Sequence, residues 1–143
     1  MKREQGFTLL ELIIVMFLVS LMMSLAAAYF ANTLPSSKFG AATRDLAATI
    51  RHAKALAQID GEEKTLTIDM DAGRYGIGDS AGKTLPEGVH IKIADPVEGD
   101  ISTGTYRIVC PPTGGIEGGT IVLWNEKKTA TITIDPVAGP VVQ

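Results

Sequence analysis

The sequence predicts an α+β fold, a long N-terminal helix packed on an antiparallel β-sheet head, and three observations carry that prediction. An almost wholly apolar run extends from Phe7 to Ala31, an amphipathic helical pattern follows it, and beyond Gly61 the hydrophobic period changes to that of a strand. With 143 residues, and part of them taken by the apolar run, there is room for one modest domain. A formal charge of −3 with scattered lysines and arginines supplies no clustered basic face, so no nucleic-acid partner is expected. The single cysteine, Cys110, cannot close an internal disulfide. Set in Tyr106-Arg107-Ile108-Val109-Cys110, it reads as a small buried apolar residue, with a reactive thiol as the alternative.

At about 1.5 Å rise per residue, a helix over Phe7 to Ala31 is long enough to cross a hydrocarbon layer of about 30 Å. Lys2 and Arg3 precede it and no further cation appears before Lys38, so the positive-inside bias leaves the short leader cytoplasmic and the rest of the chain outside. Glu11 is the anomaly, because a carboxylate in such a segment costs about 3 kcal/mol and needs a partner. Directly before the apolar run stands Gly6, preceded by Lys2-Arg3-Glu4-Gln5, and Glu11 is the fifth residue counted from Phe7.

This arrangement, Gly6-Phe7-Thr8-Leu9-Leu10-Glu11, resembles the class III signal of type IV prepilins and pseudopilins. The resemblance implies that a membrane-embedded prepilin peptidase cuts after Gly6 and methylates the new amine of Phe7. It further implies that Glu11 pairs with the N-terminal ammonium of a neighbouring subunit during assembly, offsetting its desolvation and setting helix register. A residue near enough to the interface to stay solvated is the plain alternative for Glu11. Two other fates compete: secretory cleavage at the small-residue pattern of Leu25-Ala26-Ala27-Ala28-Tyr29, and an uncleaved signal anchor. The length of the apolar run and the carboxylate at Glu11 argue against secretory cleavage.

Helical periodicity continues past the membrane segment, with Phe39, Ala42, Leu46, Ile50, Ala53 and Ala57 recurring at steps of three and four. The flanks carry Lys38, Arg44, Asp45, Arg51, His52, Lys54 and Gln58, and Leu56 sits at the edge of the stripe. Within Asn32-Thr33-Leu34-Pro35-Ser36-Ser37, proline predicts a kink or a melted turn. Asp60-Gly61 is the expected helix end. The organisation is therefore a leader (1–6), a membrane and filament-core helix (7–31), an amphipathic helix (32–60) and a β-rich head (61–143).

Strands follow at Thr65 to Met70, Arg74 to Ile77, Val89 to Ile93, Tyr106 to Cys110, Thr120 to Trp124 and Thr129 to Ile134. Asp71-Ala72-Gly73 turns the first hairpin and Asn125 to Lys128 joins the last two strands. Pro111 to Gly119 reads as a long irregular surface loop. Its glycines lack the following lysine and helix that a phosphate cradle requires.

Three features of the head resemble the GspH/FimT group. Ala53-Lys54-Ala55-Leu56-Ala57 leads into Leu66-Thr67-Ile68-Asp69, a proline-glycine loop precedes Thr120-Ile121-Val122-Leu123, and Ile132-Thr133-Ile134-Asp135 runs into the glycine turn Val137-Ala138-Gly139. The group commonly has arginine where Lys54 stands. The resemblance implies a pilin-like fold and a minor pseudopilin of type II secretion, held in the inner membrane with its head in the periplasm until it enters a short pseudopilus that it helps initiate or cap. Its partners would be the prepilin peptidase, the major and other minor pseudopilins and the inner-membrane secretion platform. A FimT-like minor type IV pilin is the nearest alternative.

An anchored enzyme is the rival from another class, yet no nucleophile, base and metal set assembles in the sequence. His52 and His90 fall on outward positions. Asp69, Asp71 and Asp79 could hold calcium but read more simply as turn residues, and Trp124 is expected to pack in the head, with a subunit contact as the sharper reading. No catalytic residue, cofactor or metal is expected.

Overall fold

The computed structural model describes residues 7–79, 82–97, 99–116 and 118–143, with the side chains of residues 32–34 left out of the description. Among these residues one helix, α1 (Leu9–Asp60), is followed by nine strands. The chain divides into two compact units, Met1–Pro35 and Ser36–Gln143.

In the first unit α1 is apolar on every side and every described side chain from Phe7 to Ala31 is exposed. Ser20 and Ser24 donate their hydroxyls to the carbonyls of Met16 and Ser20, at 2.8 Å each, so these polar groups are satisfied within the helix itself. The expected melted turn at Pro35 does not form, because the backbone stays helical from Leu9 through Pro35 to Asp60. Proline withdraws a single donor from the ladder and its neighbours keep theirs.

In the second unit the helical stripe is buried as its periodicity requires: Phe39, Ala42, Leu46, Ile50, Ala53 and Ala57 all join the core. The stripe is wider than the apolar residues alone suggest, since Thr43 and Thr49 are buried too. Each returns its hydroxyl to the carbonyl four residues back, Phe39 at 3.0 Å and Asp45 at 2.8 Å, which removes the cost of burying them. The helix ends at Asp60, and Gly61 follows at φ +67°, a left-handed conformation that glycine adopts without penalty.

The strands form two antiparallel sheets where a single one was expected. One has the order β3-β2-β1-β6, from β1 (Lys64–Asp69), β2 (Arg74–Ile77), β3 (Lys83–Thr84) and β6 (Thr105–Cys110). The other has the order β5-β4-β7-β8-β9, from β4 (His90–Asp95), β5 (Gly99–Ile101), β7 (Thr120–Trp124), β8 (Thr129–Asp135) and β9 (Gly139–Val142). Register places Leu66 opposite Ile108 and Ile77 in the first sheet, and Ile93 opposite Ile121 and Ile121 opposite Ile132 in the second. Those residues, with Ile68, Ile91, Leu123 and Ile134, join the helical stripe in one hydrophobic cluster.

Three strands escaped the sequence reading. β3 and β5 are too short to show a period, and β9 contains Pro140, which cannot donate to a ladder and so disguises an edge strand. The other correction concerns Pro111 to Gly119, expected to be a surface loop. Ile116 and Gly119 within it are buried, and a Cβ built on Gly119 would lie 2.2 Å from the carbonyl oxygen of Ala94 on β4. The glycine is needed there because the loop backbone lies directly against a strand.

Replacing that glycine tests the arrangement. Gly119→Ala should lower the thermal stability of the protein by about 2 kcal/mol through overpacking against immobile backbone. Gly115→Ala, where a Cβ meets nothing within 4 Å, should change it little. Equal effects in thermal melts of the two variants would show that the loop does not pack as described.

Candidate functional site

Gly6, Lys2 and Arg3, and with them the expected cleavage point, lie outside the described residues. Phe7 is 77% exposed and precedes the first helical residue by two positions. Thr8 starts the helix: its side-chain oxygen accepts the backbone N–H of Glu11 at 3.2 Å and its carbonyl accepts that of Leu12 at 3.2 Å. This is an N-cap, which satisfies one of the donors that every helix leaves open at its start. Thr8-Leu9-Leu10-Glu11 has the T-x-x-E spacing of a capping box, a signal for this cap that the sequence itself carries.

Glu11 therefore occupies the first turn of α1, as the acidic residue there, and its side chain is exposed. In that position its carboxylate faces the positive end of the helix dipole, which partly compensates its charge. The surface around it is continuous apolar side chain, from Phe7 through Leu9, Leu10 and Leu12 to Phe17 and onward. Such a segment has mean hydropathy 2.5 and is long and apolar enough to cross a membrane. What the arrangement can do is bury itself in lipid or against like helices, with one ionisable group available to a cation.

Residues 1–27 match the family described as the prokaryotic N-terminal methylation motif. The chain carries the N-terminal methylation motif of type IV pilin-like proteins. The motif implies processing by a prepilin peptidase, and the apolar helix behind it fits an inner-membrane-anchored pilin. A motif of this kind supports a structural role. Neither the curated proteins nor the solved structures compared with this chain give a match.

In the head, the candidate residues fall where their chemistry is structural. Asp69 accepts the backbone N–H of Ala72 at 2.8 Å and Asp71 that of Gly104 at 3.0 Å, both as turn residues, while Asp79 is fully exposed. No group of three or more metal-binding side chains occurs among the described residues. Cys110 is buried, and burial pushes its thiol up from the ordinary value against a weaker effect of the Lys54 charge. His52 and His90 are exposed. Trp124 does not join the core: β7 sends Ile121 and Leu123 inward and Trp124 outward, where it lies partly exposed beside His90 with ring centroids 5.6 Å apart.

Two polar attachments join the C-terminal half of α1 to the sheets. On one flank the Asp45 carboxylate accepts the Tyr75 hydroxyl at 2.6 Å and the Lys83 ammonium at 2.8 Å, and Lys83 also reaches Thr49 at 3.2 Å. On the other, Lys54 donates to the carbonyl of Val137 at 2.8 Å and Arg51 to that of Pro140 at 3.2 Å. Lys83 first, and Tyr75 second, hold the Asp45 carboxyl below its ordinary value of 3.8, while burial opposes them. Tyr75 is in turn pushed well above its ordinary value, by burial first and by Asp45 second.

A carboxyl whose value is depressed by folding contributes stability that is present above about pH 4 and is lost as the pH falls through the folded value. The melting temperature should therefore drop on acidification below about pH 4, and Asp45→Asn should flatten part of that drop while costing about 1 kcal/mol at neutral pH. Acid profiles of the wild type and the variant that superimpose after a constant offset would remove Asp45 from the account.

Proposed function

We propose that the chain is a minor pseudopilin of a type II secretion pseudopilus, cut after Gly6 and methylated on Phe7, with Glu11 as the assembly residue. The observation that carries this reading is the methylation motif over residues 1–27 at the head of an apolar helix that has no protein cover on any side. A helix of this kind serves twice, first as a membrane anchor and then as a strand of the filament core, because lipid and neighbouring helices both accept an all-round apolar surface.

Cutting after Gly6 would free the amine of Phe7 immediately before the Thr8 cap, and the cap would keep Glu11 in the first turn of its own helix. A carboxylate desolvated by the filament core then finds its counter-charge on the methylated ammonium of the preceding subunit, and the pair aligns one helix against the next. Cytoplasmic Lys2 and Arg3 would orient the head towards the periplasm. There it would meet other minor and major pseudopilins, with the inner-membrane platform supplying the motion. Placement in the GspH/FimT group draws support from Lys54, which holds a backbone carbonyl as an arginine at that position also can.

A minor type IV pilin shares the same leader and helix. The two machines separate in a deletion strain, where loss of exoprotein release marks secretion and loss of twitching marks a pilus.

Intact mass and N-terminal sequencing of membrane-extracted protein, with and without the prepilin peptidase, test the processing step. The expected product begins at methylated Phe7 only when the peptidase is present. Glu11→Ala should still be cut yet fail to enter filaments, so that cross-linking to other subunits is lost. An N-terminus at Tyr29, or an uncut Met1 in both strains, would overturn the filament reading.

A further inference from the structure

Among the four sheet edges, β6 stands apart. β3 and β5 are two and three residues long. β9 carries Pro140, which has no N–H, and Arg51 occupies the Pro140 carbonyl. β6 is six residues long and, among the described residues, pairs on one side only, with β1. Met70 donates to the carbonyl of Gly104 at 2.9 Å, and with the register Lys64 to Cys110, Leu66 to Ile108 and Ile68 to Tyr106 this phases the ladder. Alternation turns the backbone groups of Tyr106, Ile108 and Cys110 towards β1 and those of Thr105, Arg107 and Val109 away from it.

The outward row opens onto a groove of about 890 Å3, whose facing wall is the turn after β4 with Asp95, Pro96 and Val97. Val97 is 92% exposed, an apolar side chain at the rim. Asp95 is already engaged, with one oxygen on the Val97 N–H at 2.7 Å and the other on the Tyr106 hydroxyl, so it braces the wall. Arg107 meets only Asp79 among the described acids, at 4.0 Å and with both side chains largely exposed, the outer limit of an ion pair.

We propose that the β6 edge is a strand-addition site for an extended segment of another protein, one that presents a carboxylate opposite Arg107 and an apolar side chain to Pro96 and Val97. Backbone N–H and C=O groups in a row are complementary to another extended backbone and to little else. The charge at the centre chooses the occupant. In a second copy of this chain, the antiparallel register that pairs all three outward residues sets Arg107 against its own equivalent, and directly opposed like charges are unfavourable. An acidic residue at that place converts the repulsion into a cross-strand ion pair.

The test uses the full chain in detergent micelles and a short synthetic peptide of alternating valine and threonine with a central glutamate. Binding should slow amide hydrogen exchange at Thr105, Arg107 and Val109. Methylating alternate peptide nitrogens should weaken binding by about tenfold or more, since backbone donors are removed and side chains kept. Val109→Pro should do the same from the protein side, proline being tolerated where a strand's N–H faces outward. Arg107→Glu, which leaves the backbone row intact, should lose the glutamate peptide and gain its lysine counterpart. Equal binding of the methylated peptide, or no change in exchange at the three amides, would overturn the proposal. Slowed exchange without peptide that grows with protein concentration would overturn it in favour of a second copy.

Discussion

Everything in the head is arranged around one buried stripe of α1. Leu46 and Ile50 have no exposed surface, and Ala42, Ala47, Ala53 and Ala57 are buried with them in the same cluster. Each sheet is apolar on one face only, and an amphipathic stripe supplies that face with a partner. Area removed from water by such large residues is worth about 1.5–3 kcal/mol apiece, so the helix is part of the core and not a stalk on which the core rests. The polar attachments at Asp45 and at Arg51 and Lys54 lie outside that stripe and fix its rotation, since turning the helix would unmake both at once.

The two halves of α1 obey opposite rules. From Ser36 onward burial is decided within the protein, by residues that alternate between core and water. From Phe7 to Ala31 every described side chain is exposed, and this stretch of the helix has no buried face. Glu11 and the Thr8 cap stand at the far end of this second kind of surface, with Glu11 the acidic residue of the first helical turn.

Much of this was legible in the residues themselves. Periodicity placed the stripe from Phe39 to Ala57, the strands from Leu66 to Ile68 and from Ile121 to Leu123, and the helix end at Gly61, because each records a local rule of burial or backbone conformation. Glycine, phenylalanine and glutamate at their fixed spacing made the methylation motif readable without any fold. Other features depend on distant partners and left no local mark. Nothing in Lys83-Thr84 or Gly99-Asp100-Ile101 announces a strand until β2 and β4 are beside them. β9 carries Pro140, which has no N–H to give, and this edge is held by its ladder with β8, by the Thr131–Gln143 pair and by Arg51 on the helix. Trp124 looked like a core residue by type, whereas its parity along β7 had already assigned it to the outer face. Gly119 reads as part of an irregular surface loop, whereas its reason is the close approach of the Ala94 carbonyl.

The clasp on the last hairpin is made entirely to main-chain oxygens, those of Val137 and Pro140. Main-chain oxygens are the same whatever residue bears them. Val137, 86% exposed, can therefore change its side chain without loosening the strand behind it, while Asp135, whose carboxylate accepts the Val137 and Ala138 N–H groups, and Gly139, at φ +87°, stay fixed. Lineages that need a new contact on this corner of the head can evolve one there, with Arg51 and Lys54 holding the frame constant while the exposed letters drift.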